Sequence, residues 1–483
     1  MYKKKISDYF YQNLKLNPKK FFLFIDEKPY NYEDSLKDIN LLLKIFKTIK
    51  CKNVLCITKN EFTFFNILIS ISELNLSFSP FSNLTKSIFF KKIIETNKFD
   101  CLILDKVFYQ NIDIKTQNLL KKNIQNIILI NDKKISILKK KISKVKKNNF
   151  FLLCYTSGST GQPKSILLSQ KTKILRSNYV IDLYDLSQND KILITTPLHH
   201  TLAFRKLIIC LILNSECHIK STFDPNDIIK YIKEKKISFT MMVPSQLEKI
   251  FKSKKNKSKI SIQNIVSSSS TLSLRLKKKV INNINGNFHE CYGTSETSIL
   301  TNINLSKDIK NLNTIGKKIK GVHLKTKKEN KLEGELLCKT PLIFSGYLKN
   351  GIITKHKKKS YFNTGDIVKI KNNNYLIFQS RKHEIMKVGA ITVYPKDIEQ
   401  VLLNNKNVAN CAVFSVQDKK FEEKIVAIIE KNLNSHINQR DILHYCHNKI
   451  ENYQMPKIVK FVKKIPLNNL GKINKINLEK KLF

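Results

Sequence analysis

Short apolar runs bounded by polar turns recur through the first half of the chain, and no other feature restricts its fold so tightly. Asn53-Val-Leu-Cys-Ile-Thr, Cys101-Leu-Ile-Leu, Asn126-Ile-Ile-Leu-Ile and Lys191-Ile-Leu-Ile-Thr-Thr are apolar on both sides rather than alternating, the pattern of strands buried on both faces. Between them lie segments of helical spacing, Ser35–Lys50, Phe62–Leu74 and Asp227–Lys235, the last preceded by Asp224-Pro225. Strand and helix in alternation predict an α/β fold with parallel strands. From Leu332 the strand signals become denser, at Gly334-Glu-Leu-Leu-Cys, Asp366-Ile-Val-Lys-Ile and Tyr375-Leu-Ile-Phe, and predict a mainly β subdomain. After Arg381 the pattern turns α+β, with helices expected at Pro395–Asn404 and Gln439–Asn452 and strands at Cys411–Val416 and Lys424–Glu430.

At 483 residues the chain exceeds the reach of one hydrophobic core, so at least two domains are expected, with a boundary near Ser380–His383. Lys252–Lys259 is its most linker-like stretch. A hydrophobic share of 42% rules out a disordered tail. The net formal charge of +49 raises the question of nucleic acid or anionic membrane. Lysine is spread along the whole chain with Asn, Ile and Phe, at the expense of Gly, Pro and Trp, and no nucleic-acid-reading motif accompanies it. Lysine on solvated faces explains the charge, and no specific nucleic-acid partner is expected. Ten cysteines without a CxxC pair fit buried thiols in a reducing compartment. His444, Cys446 and His447 lack a second ligand pair at a zinc spacing, so packing is expected there. With no apolar signal core in Met1–Lys20 and no run of about 18 apolar residues, a cytoplasmic chain without a transmembrane segment is expected.

One loop carries the chemistry. Thr156-Ser157-Gly158-Ser159-Thr160-Gly161-Gln162-Pro163-Lys164 follows the apolar run Phe150–Tyr155 and so lies at a strand end. Its glycines let backbone amides turn toward an anion, its hydroxyls add donors, and Lys164 supplies a compact cation. Pro163 stands where a Walker A loop needs glycine, which disfavours a P-loop nucleoside triphosphatase.

Tyr155–Lys164 resembles the phosphate-loop signature of the adenylate-forming superfamily, the acyl-CoA synthetases, luciferases and peptide-synthetase adenylation domains. Further motifs follow in the family's order. Tyr292-Gly293-Thr294-Ser295-Glu296 resembles the segment whose aromatic ring stacks on adenine, whose hydroxyl meets the α-phosphate and whose glutamate holds Mg²⁺. Gly334-Glu335 and Gly346-Tyr347 resemble the spacer between motifs. Tyr361-Phe-Asn-Thr-Gly365-Asp366 resembles the ribose-binding motif, and Ser380-Arg381-Lys382-His383 through Glu399 the interdomain hinge, in which Arg381 reaches ribose or phosphates. Pro466-Leu-Asn-Asn-Leu-Gly471-Lys472-Ile473-Asn474-Lys475 resembles the C-terminal loop with the catalytic lysine. The resemblance runs over roughly residues 25–480.

It implies a large domain, 1–380, of layered α/β subdomains with a β subdomain that binds ATP and the acyl group, and a small mobile α+β domain, 381–483, that carries Lys472. It also implies a reaction. A carboxylate attacks the α-phosphate of MgATP, pyrophosphate leaves, and a thiol takes the acyl group from acyl-AMP. Coenzyme A is the expected acceptor, with an acyl carrier protein's phosphopantetheine as the alternative; a basic nucleic-acid- or membrane-binding protein on a degenerate ligase scaffold is the non-catalytic alternative. Pro197-Leu-His-His-Thr-Leu-Ala-Phe204 resembles the segment of acyl- and aryl-CoA ligases that sets His200 beside the substrate carboxylate. No acidic residue occurs from Lys191 to Ser215, which disfavours an amino acid as substrate. Four departures from the family pattern stand out. The hinge position is His383, giving the rotation a group that titrates near neutrality. Ala390 replaces a glycine of the loop expected near the CoA channel, Ser268–Leu272 replaces Gly-Gly-Ala-Pro-Leu in the acyl and adenine pocket, and Ser165 and Gln170 replace a glycine and a histidine after the phosphate loop.

Overall fold

The computed structural model describes all residues except 1–3, 83–92, 96, 98, 132–133, 144–149, 157–163, 254–258, 331–332, 350–351, 358–359, 389–390, 419–421, 434, 448, 468–472, 474 and 483. By internal contacts the chain falls into two units, Met1–Met241 with Leu342–Lys358, and Met242–Pro341 with Lys359–Phe483.

The first unit is α/β, as the alternating pattern predicts. Its larger sheet has nine strands in the order Ile352–Lys355, Gly346–Lys349, Lys164–Leu168, Leu152–Thr156, Ser77–Pro80, Asn53–Ile57, Cys101–Asp105, Asn126–Asn131, Lys134–Lys139. The middle pairings, from Leu152–Thr156 through Asn126–Asn131, are parallel and the outer ones antiparallel. Asn53–Ile57 is buried at every position, which is why its run is apolar rather than alternating. A second group of strands pairs Phe21–Ile25 in parallel with Glu216–Ile219 and the latter with Lys191–Ile194. The strand after the expected phosphate loop leads into a helix capped by Ser169, whose hydroxyl accepts from Thr172 N–H. We label β1 Leu152–Thr156, β2 Lys164–Leu168, α1 Gln170–Tyr184 and α2 Thr201–Leu213. Gly346–Lys349 pairs with β2 from nearly two hundred residues away in sequence, a pairing that the local pattern does not encode.

In the second unit Ile260–Ser267 runs parallel to Ile284–Thr294 (β3), which turns back antiparallel into Ser298–Asn304 (β4). The expected β subdomain is a four-stranded sheet of His323–Asn330, Glu333–Lys339, Phe362–Lys371 (β5) and Tyr375–Arg381 (β6). Beyond Arg381, helix Pro395–Leu403 packs on a hairpin of Val408–Asp418 and Glu422–Lys431, with Ile458–Val462 parallel to the latter. These elements close two apolar clusters drawn wholly from Met386 onward, one around Ile398, Val413, Ile429 and Ile442, the other around Phe414, Val426 and Leu478. The helix from Gln439 ends at His447 rather than Asn452, and Asn452–Gln454 form a separate 3₁₀ turn. Cys446 is buried in the first cluster while His444 and His447 are exposed on the other face of that helix, so the three do not converge. All ten cysteines are free and buried.

The solvated-lysine reading of the charge holds only in part. Lys173, Lys206 and Lys277 are almost wholly buried. Lys206 Nζ donates to Leu193 O (3.0 Å) and Met241 O (2.9 Å), and Lys277 Nζ donates to Leu312 O (2.7 Å) and pairs with Glu290. Among the described residues no helix is long and apolar enough to cross a membrane.

Candidate active site

The expected phosphate loop joins the two strands of an antiparallel hairpin. Tyr155 pairs with Ser165 and Thr156 with Lys164, so the loop leaves β1 and re-enters β2 at one level. Ser157, Gly158, Ser159, Thr160 and Gly161 lie outside the described residues. Ser165 and Gln170, departures from the family pattern, serve the scaffold: Gln170 accepts from Ile6 N–H (3.1 Å) and from Ser72 Oγ (2.7 Å).

His200 is the N-cap residue of α2 and makes no side-chain cap bond. Its ring centroid lies 4.2 Å from that of His199, and the Nε2 atoms of both are buried without a hydrogen-bond partner among the described residues. Burial pulls His200 down to about 4, and burial with the neighbouring ring pulls His199 down to about 3, so both are neutral at pH 7.

The second unit gathers side chains from three motifs around one carboxylate. Tyr292, Gly293 and Thr294 end β3, and Ser295 and Glu296 form the turn into β4. That turn clasps itself: Thr294 N–H donates to Thr297 Oγ1 (3.0 Å), and Thr297 N–H donates to Thr294 Oγ1 (3.3 Å). Gly293 is obligatory, because a Cβ there would sit 1.8 Å from Ser298 O. Asp366 on β5 faces Arg381 on β6 across the ladder, and Gly365 before it adopts φ +73°, a left-handed conformation open to glycine. Asp366 is fully buried. Arg381 Nε lies 2.9 Å from its Oδ1, and the Tyr292 hydroxyl donates to its Oδ2 at 2.5 Å. Thr364 fixes the approach, its Oγ1 accepting from Asp366 N–H (3.2 Å) and donating to Leu336 O (2.9 Å). Three motifs separated in sequence, Tyr292, Asp366 and Arg381, thus meet at one carboxylate. Burial first, then the Asp366 charge, raise the Tyr292 phenol and keep it a donor. Glu296 lies near enough to Cys338 to act with burial in pushing that thiol up to about 12.

Lys472 lies outside the described residues, as does Ala390. The Lys472 loop is bracketed by an antiparallel bridge between Leu467 and Ile473. Immediately beyond it, Lys475 reaches Glu399 Oε1 (2.8 Å) and Glu384 Oε2 (3.5 Å). Burial lowers the Lys475 ammonium, but Glu399 and Glu384 outweigh it and the net shift is upward. His383 is exposed in the 3₁₀ turn Lys382–Glu384, beside the Glu384 that holds Lys475. The sequence reading missed this clamp because one lysine among so many carries no local signal. It missed the Tyr292–Asp366 bond because the two residues are far apart in sequence.

The family model "AMP-binding enzyme" matches residues 84–348, and "AMP-binding enzyme C-terminal domain" matches 397–472. The chain belongs to the AMP-binding enzyme family. Among curated relatives, indoleacetate–CoA ligase of Aromatoleum aromaticum is 26% identical over 334 residues, covering 67% of this chain and 66% of the relative. The 2-succinylbenzoate–CoA ligase of Bacillus licheniformis is 25% identical over 332 residues, covering 66% and 68%. The matches therefore span about two thirds of these relatives' length. ATP-bound MatB from Rhodopseudomonas palustris superposes with a TM-score of 0.86 at 18% identity, covering 98% of both chains. o-Succinylbenzoate CoA synthetase from Bacillus subtilis with its acyl-adenylate gives 0.84 at 17%, covering 98% of this chain and 97% of that one. These likenesses establish the fold: mixed α/β with a large N-terminal part and a small C-terminal one.

Proposed function

We propose that this AMP-binding enzyme activates a carboxylic acid with MgATP to acyl-AMP, releasing pyrophosphate, and then passes the acyl group to the thiol of coenzyme A. The observation that carries this reading is the convergence of Tyr292, Asp366 and Arg381. A fully buried carboxylate beside a guanidinium and an aromatic face matches a ribose, its phosphate and its base. The relatives' names, all acid–CoA ligases, support the same chemistry and the thiol acceptor.

In this reading Asp366 accepts from the ribose hydroxyls and Arg381 reaches the phosphate. The amides and hydroxyls of Thr156–Gly161 and Lys164 hold the β- and γ-phosphates, and Thr294 and Ser295 meet the α-phosphate. Glu296 would hold Mg²⁺ as a hard oxygen ligand, and the ion would supply positive charge against the phosphates. His200, neutral in its buried setting, hydrogen-bonds the incoming carboxylate. Lys472 bridges carboxylate and α-phosphate, so that the attacking oxygen lies in line with the departing pyrophosphate. The carbonyl–phosphate anhydride formed is then attacked by the thiol sulfur, and AMP leaves with the anhydride electron pair. Rotation of the domain 381–483 about His383 withdraws Lys472 between the two steps.

ATP–pyrophosphate exchange over a panel of carboxylic acids tests the first step, and addition of coenzyme A or a phosphopantetheinylated carrier protein tests the second. One or more acids are expected to support exchange, and Lys472→Ala to slow it by at least about 100-fold. No exchange with any acid, or an undiminished Lys472→Ala rate, overturns the proposal. Transfer to carrier protein but not to coenzyme A corrects the acceptor alone.

A further inference from the structure

A second lysine stands close in sequence to the expected catalytic one, and the fold holds it in place. Lys475 Nζ lies 2.8 Å from Glu399 Oε1 and 3.5 Å from Glu384 Oε2, and its side chain is 20% exposed. Each acid has a fixed place of its own. Glu399 belongs to the helix Pro395–Leu403, and its Oε1 also accepts from Val413 N–H at 2.9 Å, in the hairpin on which this helix packs. Glu384 closes the 3₁₀ turn Lys382–Glu384, directly after His383, the expected hinge. Lys475 thus joins the hairpin layer of the domain 381–483 to that domain's first turn.

Helix formation does not account for a lysine here. Lys475 opens the helix Lys475–Leu482, and a cation in the first turn opposes the helix dipole. Stability alone does not account for it either. A buried ion pair is often no more stabilising than apolar side chains of the same volume, whereas its directionality selects one arrangement and one register. The segment whose register is set lies just upstream. Ile473 bridges to Leu467 and packs against the cluster of Phe414, Val426 and Leu478, while Ile465 N–H donates to Glu430 Oε2 at 2.8 Å. Lys472 is the residue before Ile473 and three before Lys475, so at most ~11 Å of extended chain separates it from the clamp. Lys475 itself, shared between two carboxylates, is not the group that bridges substrate and phosphate.

We propose that Lys475 is a positioning residue for adenylation: by joining Glu399 to Glu384 it sets the base of the loop from which Lys472 reaches the α-phosphate. This rests on the adenylation reading and adds to it a second lysine with a separate role. Without the clamp Lys472 keeps its charge but has more orientations to search. The loss falls on kcat rather than on KM for ATP, because Lys472 contributes in the transition state. Acyl transfer to the thiol, the step for which Lys472 is withdrawn, does not depend on the clamp.

The test runs ATP–pyrophosphate exchange on the full chain with acetate, octanoate, succinate and benzoate. It adds thioester formation from coenzyme A and the synthetic adenylate of whichever acid exchanges fastest, all well below the Tm of the least stable variant. Lys475→Met is expected to lower kcat for exchange by about 10- to 100-fold, with KM for ATP and the rate of thioester formation each within about threefold of the parent. In the Lys472→Ala background the same substitution is expected to lower exchange by less than about threefold, because the group through which it acts is gone. Lys475→Arg, whose guanidinium still joins both carboxylates, is expected to restore kcat to within about fivefold of the parent. Adding Glu399→Gln to Lys475→Met relieves the unpaired carboxylates and is expected to raise Tm without restoring kcat. Equal losses in the parent and Lys472→Ala backgrounds, equal losses in the two steps, or a kcat that recovers together with Tm would make Lys475 a purely structural residue and overturn the proposal while leaving adenylation standing. A parent that exchanges with no acid would remove the adenylation reading and this proposal with it.

Discussion

Replacing Asp366 by Asn separates the nucleotide role proposed for this carboxylate from its role in the fold. The carboxylate is fully buried and offers one oxygen to Arg381 Nε (2.9 Å) and the other to the Tyr292 hydroxyl (2.5 Å). An amide of the same shape has a single acceptor atom, so one of the two donors must face an NH₂ group. Losing a hydrogen bond to a charged group costs about 1.5–3 kcal/mol. Arg381 keeps 37% of its side chain in solvent and recovers part of that loss by hydration, which puts the expected destabilisation near 2 kcal/mol. For a unit of roughly 200 residues this is a fall in Tm of about 4–8 °C. If Asp366 also accepts from the ribose, two further bonds weaken in the transition state. About 3 kcal/mol, or roughly 150-fold, should then vanish from kcat/KM for ATP. The assay is pyrophosphate exchange against ATP concentration at saturating acid, run 15 °C below the variant's own Tm so that unfolding does not contribute. A Tm drop of the expected size with kcat/KM for ATP within threefold of the parent would make Asp366 a scaffold residue and refute its assignment to ribose.

Two further outcomes follow from buried titratable groups. His199 and His200 fold with pKa values near 3 and 4, below the ordinary 6.5, so the unfolded chain binds more protons as the pH falls; stability is full above pH 6.5 and declines below it, by up to about 2 kcal/mol per ring at pH 5. The loss of urea midpoint between pH 7 and pH 5 should shrink in His199→Gln/His200→Gln, and an identical loss in parent and variant would sink the argument. Lys475→Met leaves Glu399 and Glu384 facing each other without the shared ammonium; with 20% of the lysine still exposed the cost should be about 2–3 kcal/mol, measured by chemical denaturation. Adding Glu399→Gln to that variant should recover part of it, and full additivity of the two changes would show that no ion pair couples them.

The local sequence contained the elements and the chemistry of most residues of the site. Apolar runs buried on both faces announced the parallel strands, and Asn53–Ile57, Cys101–Asp105, Asn126–Asn131 and Lys191–Ile194 formed where expected because a strand with two covered faces needs no alternation. The apolar run Phe150–Tyr155 placed the glycine- and hydroxyl-rich segment after it at a strand end, since glycine, hydroxyl and proline act within a few residues of themselves, and the structure adds that this strand is one arm of a hairpin. What depended on distance was decided only in three dimensions. The hydroxyl of Tyr292 bonds a carboxylate 74 positions away, Gly346–Lys349 completes the sheet of the first unit, and Lys475 finds its two glutamates across 76 and 91 positions. Above all, a chain this rich in lysine gives no sign of which lysines are buried. Burial follows from the packing of one helix on another, so Lys173, a surface residue by every local rule, became an interior amine only when α1 met α2.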